Sequence, residues 1–361
     1  MENSFQFKKN TIYHSKLEGG GAERVMTFLA NDLKKKNYNV TILVLGSNQE
    51  SDYKVDKNIK VIFLNKSRSI FATYQIVRYF FKNFDIAIST IVQCNILCIF
   101  AKFFSFSRTK LYVRETNTPS EILKYDFNLK NYFIFIIRKL YIYANLVLCN
   151  SKGVKADLKN KLKIKSRLLF FLPNSLNTDL IDLRSNESIK KINKPYFLFA
   201  GRYSKQKNIE QLLYAFNFFY KKNKKFNLYI FGKGPEKTKL KGIIKNLNLH
   251  RAIFLKPFQK NIFKYIKNSN GVLLSSKWEG MPNILLQALY LNKPVLSTNC
   301  KSGPKELKKF GYDIKLSPVN DINSYAIQME KLSKSKINIS KNLLLNKRYS
   351  NIYWKKINNL F

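Results

Sequence analysis

Short runs of β-branched and aromatic residues alternate with amphipathic stretches from one end of this chain to the other, and that alternation limits the fold more than any other feature. The runs fall at residues 11–13, 40–45, 59–63, 86–90, 111–113, 146–149 and 168–171, and again at 196–200, 228–231, 253–255, 271–274 and 294–297. Strands joined through helices pair in parallel, and parallel sheets are covered by helices on both faces. At 361 residues the chain is long enough for two such cores. Between the two series, residues 183–195 are polar and rich in Ser, Asn and Lys, which reads as a linker. The expected architecture is therefore α/β: two doubly wound domains, at 1–182 and 196–342, with a ligand in a cleft at the C-terminal ends of the strands. A last helical stretch, 343–361, either finishes the second domain or crosses back to the first.

Charge is the second constraint. The 65 Lys and Arg against 22 Asp and Glu give +43. Lys, Asn, Ile, Phe and Tyr are in excess together, a pattern of AT-rich coding, but the charge still draws the chain toward anionic lipid or nucleic acid. A nucleic-acid-binding protein would group its basic residues on one face or interleave them with stacking aromatics; here Lys is spread throughout and the strand aromatics sit in apolar runs, so nucleic acid is not expected as a partner. The four cysteines, Cys94, Cys98, Cys149 and Cys300, are too scattered for a disulfide framework, and no His or acidic cluster completes a metal site around them. They read as buried free thiols in a reducing cytoplasm. Residues 1–9 lack the apolar core of a signal peptide, and no uninterrupted apolar run approaches the roughly 18 residues of a membrane span. Three stretches, 70–82, 96–106 and 132–139, mix aromatic with basic residues. Such stripes are either core faces or helices resting in the headgroup layer of an anionic membrane.

Four segments carry the chemistry. Ser276-Lys277-Trp278-Glu279-Gly280-Met281-Pro282-Asn283 follows the strand at 271–274 and precedes an apolar helix beginning at Ile284. Pro282 suits a first helical position, where a missing N–H costs nothing, and free amides at such a start attract phosphate. A carboxylate one turn earlier, Glu279, can grip a polyol through its hydroxyls. Gly19-Gly20-Gly21 precedes a helix with Val25, Phe28, Leu29 and Leu33 on one face, so backbone amides there can approach an oxyanion. Gly201 to Asn208 leaves the strand at 196–200 with Arg202 and Lys207 placed for a diphosphate, the first as a fork and the second as a mobile point charge. Gly232-Lys233-Gly234 ends the next strand and suits either a nucleotide packed on backbone or an ordinary turn.

Taken in order, these segments resemble the family 4 glycosyltransferases, retaining enzymes built from two Rossmann-like domains facing across a cleft, the GT-B fold. The resemblance extends from Gly19-Gly20-Gly21-Ala22-Glu23-Arg24-Val25 through Asn150-Ser151-Lys152-Gly153 and Pro173-Asn174 to Gly303-Pro304-Lys305-Glu306. It implies that Arg202 and Lys207 hold the donor diphosphate and that Glu279, first acid of the family's Glu-x7-Glu motif, contacts the transferred sugar; these three are the expected catalytic residues. It implies a donor site drawn from Gly20, Gly21, Gly232, Gly234, Phe258, Gly280, Met281, Pro282, Asn283, Ile284 and Gln287, with no metal and no cofactor.

Two positions depart from the family pattern. Gln287 replaces the second acid, so the ribose contact loses charge assistance but keeps an amide able to donate and accept. Arg114-Glu115-Thr116-Asn117 stands where many members place a histidine; the chain has only His14 and His250. His14, Glu115 and Asn117 are the candidates for positioning acceptor or sugar, although Glu115 would serve equally as partner to a nearby base, and a structural role suits His14 better. The resemblance implies transfer of a hexose or N-acetylhexosamine from a nucleotide sugar, UDP before other bases, to a lipid-linked glycan acceptor in cell-surface polysaccharide synthesis (a hexosyltransferase, class 2.4), with the protein cytoplasmic and peripheral on the inner face of the membrane. A non-catalytic sugar-nucleotide-binding protein is the alternative.

Overall fold

The computed structural model describes residues 9–14 (backbone), 21–45, 55–65, 72–82, 84–189, 192–335 and 337–361. The chain divides into two compact units, Met1–Leu123 with Phe127–Ser175, and Lys124–Asp126 with Leu176–Phe361. The first holds a seven-stranded sheet of β1 (Lys9–His14), β2 (Asn39–Val44), β3 (Lys60–Phe63), β4 (Ile86–Thr90), β5 (Lys110–Glu115), β6 (Leu146–Cys149) and β7 (Leu169–Phe171), in the order β3-β2-β1-β4-β5-β6-β7. The second holds β8 (Tyr196–Ala200), β9 (Asn227–Phe231), β10 (Ile253–Lys256), β11 (Gly271–Leu274), β12 (Val295–Thr298) and β13 (Ile314–Ser317), in the order β10-β9-β8-β11-β12-β13. Every pairing is parallel, as in β8 with β9 and β11 with β12. Both sheets are doubly wound. Strand order reverses between β1 and β4 in one and between β8 and β11 in the other, which opens a crevice beyond the strands' carboxyl ends.

The helices of the first unit are α1 (Gly21–Lys35), α2 (Thr73–Phe80), α3 (Val92–Phe104), α4 (Pro119–Tyr125, whose last two residues group with the second unit), α5 (Leu129–Ile137) and α6 (Lys152–Leu162). Those of the second are α7 (Thr178–Ser185), α8 (Ile209–Lys222), α9 (Lys237–Asn246), α10 (Phe263–Lys267), α11 (Asn283–Tyr290), α12 (Pro304–Phe310), α13 (Ile322–Ser333) and α14 (Ile339–Asn358). Their apolar faces follow the 3.6-residue period: α8 buries Ile209, Leu212, Leu213, Phe216 and Phe219. Phe216 and Phe219 lie 5.9 Å apart, and Phe219 meets Phe197 of β8 at 5.4 Å, so the helix is fixed to the sheet through tilted rings. Burial of each such ring stabilises by about 1.5–3 kcal/mol. Side-chain caps set several starts, Ser151 accepting from the Val154 amide at 3.0 Å before α6 and Asp321 from the Ser324 amide at 2.8 Å before α13.

The second unit begins earlier than residue 196. Asn177 caps α7 by accepting from the Leu180 amide at 2.9 Å, and the helix buries Ile181 within the second core. The polar character of 178–185 hides that one anchoring side chain. At the other end, α14 contributes Leu345 and Tyr349 to the same core, and Tyr312 donates to Asn346 at 2.8 Å. The aromatic stripes separate into different classes: α2 buries Ile76 and Phe80, α3 buries Cys94 to Ile96 and Cys98 to Ala101 except for exposed Phe100 and half-buried Leu97, while α5 buries no residue at all.

Candidate active site

In the second unit the loops after β8 and β11, neighbours at the reversal point, are stitched together. The Lys277 amide donates to the Gln206 carbonyl at 2.8 Å, the Gln206 side-chain amide donates to the Trp278 carbonyl at 2.9 Å, and Ser275 Oγ donates to the Lys207 carbonyl at 2.8 Å. These bonds bring two sequence-predicted residues, Lys207 and Glu279, into direct contact through Lys207 Nζ and Glu279 Oε1. Ser276, three residues before Glu279, donates to the same oxygen at 2.6 Å, while Thr298 Oγ1 donates to the Ser276 carbonyl at 2.5 Å and fixes that turn to β12. The carboxylate side chain is 8% exposed and that of Lys207 18%, so the pair is sheltered but open to a ligand from the lysine side. Arg202, on the same loop, is exposed and makes no hydrogen bond or ion pair among the described residues. The turn Gly280-Met281-Pro282 leads into α11 with Pro282 as its N-cap, so the helix proper opens at Asn283 and not at the proline.

Glycines set the close approaches here. A Cβ on Gly232 would lie 2.0 Å from the Gly201 carbonyl oxygen, and one on Gly234 would lie 2.3 Å from that of Tyr203. The β8 and β9 loops run so near each other that the Tyr203 amide donates to the Lys233 carbonyl at 2.9 Å. Gly-x-Gly is thus required by backbone packing alone, whether or not a ligand also rests on it. Gly303 serves the same end on the other side: with φ at 76°, it brings the start of α12 against the site turn, and a Cβ there would meet the Gly280 oxygen at 2.5 Å. Met281 belongs to the second core and Ile284 packs partly buried against it. Gln287 is buried, and its side-chain amide makes no hydrogen bond among the described residues. Phe258 lies half-buried in the loop after β10. Cys300 is held up as a thiol, first by burial and then by the Glu279 charge, so it supplies no nucleophile.

The first unit has its own constellation, at the end of β5. Glu115 Oε1 accepts from the amides of Thr116 and Asn117 at 3.0 and 3.2 Å; Oε2 accepts from Arg138 Nε at 2.7 Å and Tyr141 Oη at 3.2 Å. The expectation that Glu115 would pair with a nearby base therefore describes its geometry. Burial works against the Arg138 charge, but Glu115 more than offsets it and holds the guanidinium above its usual range; burial, then Glu115, pushes the Tyr141 phenol well up. Asn117 faces a cavity of about 210 Å³ shared with Gln93, Asn131 and Arg138. Ile91, at the end of β4, lines it in a left-handed backbone conformation, φ 71°, rare for a β-branched residue. Gly21 is the first residue of α1 and His14 the last of β1, paired with Val44; Gly20 and the His14 side chain lie outside the described residues. Arg138 and Tyr141 escaped the sequence reading because an arginine inside an aromatic run looks like a surface charge. Ser276 carried one signal, its spacing of three from Glu279 across a turn.

Comparison with known proteins agrees with this geometry. The model of glycosyl transferases group 1 matches residues 182–348, and that of glycosyltransferase family 4 matches 19–180. The chain is 32% identical over 274 residues to an uncharacterized glycosyltransferase, MJ1059, of Methanocaldococcus jannaschii, covering 70% of this chain and 67% of that one. It is 30% identical over 320 residues to N-acetylgalactosamine-N,N'-diacetylbacillosaminyl-diphospho-undecaprenol 4-alpha-N-acetylgalactosaminyltransferase of Campylobacter jejuni, covering 85% and 84%. Among solved structures, Anabaena Alr3699/HepE in complex with UDP superposes with a TM-score of 0.69 at 14% identity, over 96% of this chain and 100% of that one. With both sheets doubly wound, each half matched by a glycosyltransferase model and a 30%-identical relative matched over most of its length, the chain belongs to the glycosyltransferases of the GT-B fold.

Proposed function

We propose that this chain moves a hexosyl or N-acetylhexosaminyl group from a nucleoside diphosphate sugar to a hydroxyl of a lipid-linked glycan, with the anomeric configuration kept. The observation that carries this reading is the Lys207–Glu279 pair at the end of β8 and β11, supported by Ser276 and set beside the start of α11. In transfer, the bond from C1 to the diphosphate oxygen breaks, a bond from C1 to the acceptor oxygen forms, and the acceptor's proton leaves with the diphosphate. Negative charge accumulates on that leaving group, so stabilisation must come from cations already in place. Lys207 can exchange Glu279 for a phosphate oxygen, and exposed Arg202 can add a bidentate contact. Glu279, released from Lys207 but still held by Ser276, then accepts hydrogen bonds from sugar hydroxyls.

UDP is favoured as the donor's nucleotide because Anabaena Alr3699/HepE was solved with UDP and with UDP-glucose. Names of relatives point to the acceptor class: a diphospho-undecaprenol glycan in Campylobacter jejuni, amylovoran in Erwinia amylovora and lipopolysaccharide in Salmonella typhimurium. Such acceptors belong to cell-surface glycan synthesis and support a peripheral position for the protein at the inner face of the cytoplasmic membrane. Among the described residues no helix is long and apolar enough to cross a membrane. Two cationic side chains make the reaction independent of metal, so turnover in EDTA should equal turnover with a divalent cation.

Thermal-shift screening of nucleotide sugars identifies the donor, and transfer to a polyprenyl-diphosphate glycan tests the reaction. Lys207→Ala and Arg202→Ala should each lower kcat about 10²–10³-fold with the fold retained, the usual loss when one charge-stabilising contact is removed. Near-normal transfer in either variant would overturn this assignment, and donor binding with no transfer to any glycan would leave a binding protein in place of an enzyme.

A further inference from the structure

Helix α5, Leu129-Lys130-Asn131-Tyr132-Phe133-Ile134-Phe135-Ile136-Ile137, is the most apolar surface helix of the first unit, yet none of its residues is buried. Leu129 is 83% exposed and Phe133 64%. Isolated exposed apolar side chains are ordinary; a run of them on one helix marks a contact surface. The run continues into the turn Arg138–Tyr143, which packs on α3. At the near end of α3, Lys102 donates to Asn145 at 2.6 Å, and beyond it Phe103, Phe104 and Phe106 also face outward. Phe106, 90% exposed, is held at φ 50°, a conformation costing an L residue about 1–2 kcal/mol and here turned toward solvent.

Charge decides what covers this face. Residues 86–114 and 127–145 contain no Asp or Glu, while Arg108, Lys130 and Lys139 stand exposed around the aromatic side chains. An apolar face with Arg108, Lys130 and Lys139 exposed around it fits the headgroup layer of an anionic bilayer: the rings enter the acyl boundary and the cationic groups meet lipid phosphates. The inner side of the same helix borders a cavity through Asn131 and Ile134. Asn131, Ile134 and Arg138 form one wall of the cavity whose other wall carries Glu115 and Asn117. Arg138 ties the two walls, donating to Glu115 from Nε and to the Ile134 carbonyl from Nη1 at 3.1 Å.

We propose that α5 lies in the headgroup layer of an anionic membrane with Leu129, Phe133 and Ile136 inserted, and that the cavity behind it receives the polar head of an acceptor held in that membrane. The membrane contact stands on α5 and its charges alone; the identity of the cavity's ligand as an acceptor rests on the glycosyl-transfer reading.

The experiment uses the full chain and vesicles of phosphatidylglycerol and phosphatidylethanolamine containing no glycan, so its result does not depend on catalysis. Wild type should float with these vesicles at moderate salt, and Phe133→Ser/Ile136→Ser should partition at least about tenfold more weakly with an unchanged melting temperature, since both side chains are exposed. Phe218→Ser, which removes an exposed aromatic from the second unit, should float as wild type. Equal flotation of the double variant and wild type, or release of wild type by moderate salt alone, would overturn the insertion. For the cavity, Asn131→Leu should raise KM for a lipid-linked acceptor about tenfold while flotation and donor binding stay unchanged. An unchanged KM would remove the cavity from the proposal and leave the membrane face standing. Absence of any transfer by wild type would count against the glycosyl-transfer reading and not against the flotation result.

Discussion

Each unit holds a carboxylate at the carboxyl end of a strand or in the loop that follows, with one base against it, but the two pairs are finished differently. Glu115 has both oxygens occupied, by two backbone amides, Arg138 and Tyr141, and the side chains of its ion pair are 3% and 5% exposed. Glu279 has Lys207 and Ser276 on a single oxygen, and Lys207 remains 18% exposed. A buried pair whose carboxylate oxygens are both occupied holds loops in place even where it borders a cavity, because any new partner would have to displace existing ones at full desolvation cost. A pair with one mobile member open to solvent can trade that member for a ligand. The difference between a structural and an exchangeable ion pair is thus set by how accessible its cation is, and residue type does not reveal it.

The largest expected effect tests the saturated pair. Arg138→Ala leaves a buried carboxylate facing a phenol and should cost the first unit about 3–5 kcal/mol, read as a fall in the urea unfolding midpoint. The double variant Arg138→Leu/Glu115→Leu, which removes both charges, should recover much of that loss. Lys207→Met should cost far less stability, because its end of the pair is accessible, while transfer collapses. If Arg138→Ala and Lys207→Met destabilise equally, the contrast between the two pairs is wrong.

The second-unit pair was legible in the amino-acid sequence because its members lie on two strand–loop–helix segments whose order sets the geometry: β8 and β11 are neighbours wherever a doubly wound sheet reverses, so residues just past each must meet. The first-unit pair was not legible. Arg138 lies 23 residues after Glu115 on an irregular turn, and no periodicity predicts that an arginine in an aromatic run turns inward. Aromatic stripes show the same ambiguity. Helix α8 and helix α5 are both rich in Phe, Tyr and Ile, but α8 buries one face and meets β8 through Phe219 and Phe197, whereas α5 buries no residue and only Phe135 and Ile137 pack partly against the core. The start of the second unit is hard to read because α7 is fastened largely by polar contacts, the Asn177 cap, Tyr290 to Asp182 and Asn261 to the Arg184 carbonyl, with Ile181 and Leu180 as its apolar anchors, too little apolar content to stand out from a linker.

A smaller effect separates ligand contact from packing at the glycine pair. Gly234→Ala puts a Cβ 2.3 Å from the Tyr203 carbonyl oxygen, a backbone atom that cannot swing aside, so the β8 loop bearing Arg202 and Lys207 must shift. A stability loss of about 1–3 kcal/mol is expected, measured by thermal melting of the ligand-free protein, with transfer falling alongside it. A variant as stable as wild type that no longer binds donor would show instead that the glycine exists for the nucleotide.

The smallest expected effect concerns Gln287, which shares α11 with the site turn but carries no charge. In the ligand-free protein the Gln287 side chain makes no hydrogen bond among the described residues, and its amide is not among the fully buried polar atoms that lack a partner, so its end is accessible to a polar group that arrives with a ligand. Gln287→Glu would place an unpaired carboxylate there, lowering the melting temperature of the free protein because burial opposes the charge. With donor bound, ribose hydroxyls would meet a charged acceptor, and charge assistance roughly doubles the strength of a hydrogen bond. Donor Kd should therefore tighten by about three- to tenfold while the free protein melts lower, a crossed outcome read by melting with and without nucleotide sugar. Lys207 belongs to the exchangeable pair one turn away, so the same variant in a Lys207→Met background should keep its ribose gain yet stay inactive. Loss of the gain in that background would mean that Gln287 and the Glu279 pair act as one unit, extending the exchangeable site from the turn into the helix.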